Sequence, residues 1–145
     1  MLIDSHNVFS NQATPRAVET TYSDVLDLSE ALGDGEPVQM KVFVDGEAFD
    51  SAEGDATLQV ALETDDNETF ASPATLATTS AIAEDTLVDG YVVPLSGFLG
   101  QGVERYLRLS YTVGTHAFIA GKISGFLALT LDKHNVTNVD AGAGG

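Results

Sequence analysis

The chain has 145 residues, a length that suits one domain with a real core, and 22 acidic against six basic residues give it a net charge of −16. That balance excludes nucleic-acid binding through phosphates, which needs clustered Lys and Arg, and disfavours anionic membrane surfaces. Hydrophobic residues make up 43% in short alternating runs, there is no cysteine, and Asp4 directly follows Met1-Leu2-Ile3. Disorder, a membrane span, a disulfide framework and a signal peptide are all unexpected, and a reducing cytoplasm is the expected place of synthesis. Acidity has a bland reading as solubility and a sharper one as docking on a positive partner surface.

Residues 1–22 show no sustained period, with Leu2, Ile3, Val8 and Phe9 as spaced apolar anchors and Pro15 as a breaker. This predicts an extended N-terminal arm. Val25-Leu26-Asp27-Leu28 is a candidate short strand, Ser29 to Leu32 a helical turn, and Asp34-Gly35 a turn. Pro37 opens a strand whose inner face is Val38, Met40, Val42 and Val44. Asp45-Gly46-Glu47 turns the chain, 50–55 is an acidic loop, and Leu58, Val60 and Leu62 form the inner face of the next strand.

Asp65-Asp66-Asn67-Glu68 reads as a tight polar loop, with Phe70 an anchor beyond it and small residues from Thr75 to Ile82 suiting a short strand. Tyr91, Val93 and Leu95 alternate on a strand that Pro94 consigns to a sheet edge. Glu104 to Val113 is the clearest strand in the chain. Arg105, Leu107, Leu109, Tyr111 and Val113 share one side; Tyr106, Arg108, Ser110 and Thr112 share the other. It is read as central. From Phe118 to Leu131, residues Ile119, Ile123, Leu127, Leu129 and Leu131 share a face with Gly121 and Gly125, and Phe118 and Phe126 point the other way. That run is too long for one strand, so a bend or bulge is expected at one of the glycines.

Seven or eight strands with turn residues between them predict an all-β, single-domain antiparallel sandwich, with a jelly roll as the favoured winding. The expected boundaries are an arm at 1–22, the sandwich at 23–132 and a Gly-rich tail at 133–145.

Chemistry is sparse. His6, His116 and His134 have no metal-ligand spacing, and the acidic loops at 50–55 and 65–68 lack the alternating pattern of a calcium loop. No nucleophile elbow, phosphate loop or constrained carboxylate pair is present, so neither an enzyme nor a cofactor is expected. Arg105 and Arg108 lie on opposite faces of their strand, and each either pairs with a local carboxylate such as Glu104 or, for Arg108, meets another chain.

Several segments together resemble the capsid cement (decoration) proteins of short-tailed bacteriophages. These are Met1-Leu2-Ile3-Asp4 leading to Phe9-Ser10, Val60 to Asp66, Phe70 to Thr78, Arg105 to Val113, and Ala128 to Asp132. The resemblance implies a jelly roll outside the major capsid protein lattice that clamps adjacent subunits, commonly as a twofold-related pair. The 133–145 tail and the strong acidity depart from the pattern. On this reading the protein sits on the outer capsid surface of the virion, Leu2, Ile3, Val8 and Phe9 anchor the arm on the capsid, and Arg108, Phe118 and Phe126 lie at an inter-chain contact. A carbohydrate-binding adhesion module and a minor tail or neck protein are the competing classes.

Overall fold

Strands β6 (Thr57–Asp65) and β9 (Tyr106–Gly114) pair antiparallel over nine uninterrupted positions, from Thr57 opposite Gly114 to Asp65 opposite Tyr106. Leu58, Val60, Leu62, Leu107, Leu109, Tyr111 and Val113 alternate inward along this pair and are all buried. Their spacing of two is what fixes the register, since a slip of one residue would turn the whole apolar set to solvent. The computed structural model describes residues 8–28, 38–95 and 103–129.

Around this pair, β2 (Thr20–Tyr22) and β3 (Leu26–Asp27) join β9, while β7 (Ala74–Thr78) and β8 (Ile82–Ala83) join β6. A second sheet runs β1 (Val8–Ala13), β11 (Ile123–Leu129), β4 (Val38–Val44). A third, two-stranded piece pairs β5 (Asp50–Ser51) with β10 (Phe118–Ala120). All described pairings are antiparallel. The chain is an all-β antiparallel sandwich, with its core between the β6–β9 sheet and the β1–β11–β4 sheet. Close approach of the two sheets is visible at Gly125, where an added Cβ would fall 2.6 Å from Leu109 Cδ1. The buried Tyr111 hydroxyl crosses the core to the Ser10 hydroxyl at 2.8 Å. Burial pushes that phenol up to about 12, so it stays neutral and hydrogen-bonded over the working range.

Three expectations change. From residue 8 onward the N-terminal segment is no free arm: β1 pairs with β11, β2 pairs with β9, and Phe9 is 1% exposed. Its period is hidden because β1 has two register shifts and Gln12 adopts a left-handed φ of 55°. The 91–95 segment forms no strand beyond a single bridge from Val92 to Phe43, although Val93 N–H does donate to the Val42 carbonyl along β4. The expected bend after Phe118 is present at Gly121, with φ 123°, but it moves the chain from one sheet to another and reverses the alternation. Phe118 is therefore buried and Ile119 is 64% exposed, while Ile123 and Leu127 are buried. Only glycine fits there, since a Cβ would lie 2.3 Å from the Phe49 ring, which itself packs edge-on to Phe118 at 4.8 Å. The helical turn at 29–32 and the tail at 133–145 lie outside the described residues.

Candidate interaction surface

The register of β6 and β9 sets Arg108 directly opposite Glu63 on the outer face of the larger sheet. Arg108 Nε donates to Glu63 Oε1 at 2.7 Å, and both side chains are mostly enclosed, 14% and 17% exposed. The guanidinium lies 3.7 Å from the Tyr22 ring centroid and 4.2 Å from that of Phe70. A flat cation stacks on ring faces, so two rings and a carboxylate surround one charge.

Tyr22 ends β2, whose pairing with β9 sets it opposite Ser110. Phe70 arrives from the 65–72 loop, which one buried carboxylate shapes. Asp65 accepts the Asp66 N–H at 2.7 Å, the Asn67 N–H at 3.3 Å and the Ser72 N–H at 2.8 Å. These bonds, the Ser72 amide first, hold the Asp65 carboxyl below its usual range against the opposing effect of burial. Asn67 takes the Thr69 N–H and hydroxyl, and Phe70 N–H donates to the Asn67 carbonyl. Phe70 then takes a left-handed φ of 53°, which swings its ring back over the sheet.

Three residues away, Arg105 makes a bidentate pair with Asp27 at 2.8 and 3.0 Å, but in the open, with both side chains nearly half exposed. The carboxylate partners are thus Asp27 and Glu63, not Glu104. Val18, Tyr22 and Val25 are exposed along the β2–β3 edge beside these pairs. A pocket of about 320 Å³ opens next to it between Pro15, Arg16, Glu19, Thr21 and Tyr111. Arg16 in its wall donates to the Gly121 carbonyl at 2.8 Å and stands 3.7 Å from Glu47, so it braces the Gly121 corner.

The other predicted contact residues scatter. Leu2 and Ile3 lie outside the described residues. Val8 is half-buried opposite Phe126 on β1, which among the described residues is an outer strand of the three-stranded sheet, and Phe126 stacks edge-on to Phe43 at 6.0 Å on that sheet's outer face. Phe9 and Phe118, at 1% and 2% exposure, are spent in the core and have no surface for another chain. Arg108 makes its contacts within its own chain. Nothing local in the sequence marks Tyr22 or Glu63, because both join the cluster through pairing register.

Glu84 is a further carboxylate that no sequence motif flags. It is 6% exposed at the start of a single 3-10 turn, Glu84–Thr86. It accepts the Ser51 hydroxyl, the Ser51 N–H at 3.1 Å and the Ala56 N–H at 2.9 Å, tying down the acidic 50–56 loop. The Ser51 hydroxyl bond, more than any other contact, holds its carboxyl below the usual range, against burial. Among the described residues no cluster of three His, Asp or Glu side chains could hold a metal ion. His116 pairs with Asp55 at the opposite loop, and His6 and His134 lie outside the described residues. No described helix is long and apolar enough to cross a membrane.

The model of the Bbp16 family matches residues 9–127, which takes in all or most of every described strand and the Arg108 cluster. The chain belongs to the Bbp16 family. No curated protein matches it.

Proposed function

We propose that this Bbp16-family protein is a structural protein of a phage virion that binds the outside of the capsid and clamps neighbouring major capsid subunits, stabilising the DNA-filled head. The observation that carries the reading is the likeness to cement proteins of Val60 to Asp66, Phe70 to Thr78 and Arg105 to Val113. These segments fall on β6, β7 and β9, next to one another in a single sheet. A jelly-roll winding and a twofold pair of copies belong to the same proposal. The net charge of −16 supports docking on a basic surface and keeps free copies apart and off the genome. The buried carboxylates fit a purely structural task, since Asp65 and Glu84 spend their lone pairs on loop amides.

The binding test is co-sedimentation with undecorated mature heads and with precursor heads across a salt series. Saturable binding to mature heads that weakens with salt and raises their resistance to heat is expected. No binding to either head overturns the proposal. Leu2 and Ile3 remain the proposed capsid anchors, and deleting residues 1–7 is expected to lower head occupancy. The deletion must stop there, because cutting through residue 12 would take Phe9 from the core and most of β1 from its sheet.

A further inference from the structure

Sheets end in unpaired backbone, and each end of this sandwich treats that problem differently. The β1 edge is broken by two register shifts and the left-handed Gln12. The β2–β3 edge is short, and Glu19, Asp24 and Asp27 line it. Bulges and charges of this kind keep stray strands from pairing.

β7 has almost none of this protection. It closes the larger sheet, and its side away from β6 meets no strand among the described residues. One register shift tucks Leu76 inward, but Ala74, Thr75 and Thr78 are exposed and short. From Thr69 through Ala83 there is no charged residue, in a chain with 22 acidic ones. An edge strand with free backbone groups, small side chains and no charge accepts another strand. The charges stand at its two ends instead: Asp66 and Glu68 before it and Asp85 after it, all exposed.

Those ends decide the occupant. A second copy paired along this edge would bring its own Asp66, Glu68 and Asp85 against these same acids. A partner strand with basic residues at both ends and an uncharged middle meets opposite charge at each. We infer that the β7 edge takes up an extended segment of a different protein, uncharged in the middle and bearing Lys or Arg at both ends. The inference stands whether or not the partner is a capsid subunit.

The probe is a labelled peptide, Lys-Thr-Val-Thr-Ala-Thr-Val-Lys, titrated into the full chain at low salt, with amide exchange read on residues 74–78. Saturable binding is expected, with slowed exchange of those β7 amides that point away from β6. Two altered peptides serve as controls, one with Glu at both ends and one N-methylated at alternate residues, which keeps its charge but cannot pair as a strand. Each is expected to bind at least about tenfold more weakly, as is the parent peptide to the Thr75→Lys chain. No saturable binding, or equal binding of the N-methylated or Glu-ended peptide, overturns the inference. So does slow exchange of every 74–78 amide in the free protein. A dimer that dissociates on T75K would give the edge to a second copy and equally overturn it.

Discussion

Arg105 and Arg108 stand three residues apart at one end of β9, each with a carboxylate at hydrogen-bond distance, and they do different work. Arg105 has the better hydrogen-bond geometry, two bonds against one, yet it sits in water. Arg108 has a single bond to Glu63 but is packed between the rings of Tyr22 and Phe70. Water screens the first pair and the cost of ordering two long side chains offsets much of it. The second has lost its water, so removing the cation strands a carboxylate and two ring faces. Enclosure, more than the number of bonds, should set what each charge contributes.

Glu84 carries that idea furthest, since it is enclosed and its charge is held by amides and a hydroxyl rather than by a cation. Glu84→Ala is expected to destabilise the fold more than loss of either arginine, with the 50–56 loop opening first in amide exchange. Its carboxyl and that of Asp65 are both held below their usual range, so the stability they add is complete above pH about 4–4.5. It drains away as pH falls through the folded values. Glu84→Gln should therefore start lower at pH 7 and show a flatter acid limb than the parent. An unchanged acid transition would show that the loop holds without the charge.

Arg108→Ala comes next, with an expected cost of about 2 kcal/mol in chemical denaturation and little response to added salt. A double-mutant cycle of Arg108→Ala with Tyr22→Leu should return a coupling of about 0.5–1 kcal/mol for the stacked ring. Zero coupling would reduce the stack to a mere neighbour. His116 and Asp55 form a more exposed pair, and a smaller effect is expected. The Asp55 hydrogen bond raises the imidazole above its usual 6.5, against slight burial, with the charges of Asp55 and Glu53 adding to it. The pair's contribution is full below pH 6.5 and is lost as pH rises through the higher folded value. The ring's NMR titration should sit above 6.5 and return to about 6.5 in Asp55→Asn.

What could be read from the sequence follows the same division between regular and contingent. Strands β4, β6 and β9 announce themselves because one face is buried along their length, and Met40, Val42, Leu58, Val60, Leu107 and Leu109 all fall where the alternation puts them. A bend at one of the two glycines was legible as well, but neither that it falls at Gly121 nor its direction: a glycine at φ 123° between two sheets does not preserve the count of two, and Phe118 and Ile119 exchange places. Phe9 was hidden by the irregular strand that carries it. The Arg108 cluster needs the β6–β9 register, the β2 pairing and a loop bent by one buried Asp65. Only the loop at Asp65 is local; the two strand pairings are not, so no short motif could have shown the cluster.

Arg105→Gln is the smallest expected effect and the sharpest check on the comparison. Asp27 holds the Arg105 guanidinium above its usual range, chiefly through the hydrogen bonds it accepts. That group is charged at every pH where the chain is folded, so the shift brings no pH dependence. Nearly half of each side chain faces solvent, and water already solvates what the pair would gain. The denaturation midpoint of the Gln variant should match the parent within error at moderate salt, with any small deficit seen only at low salt. A loss as large as that of Arg108→Ala would mean that bidentate geometry, not enclosure between Tyr22 and Phe70, sets the contribution of a charge on this sheet.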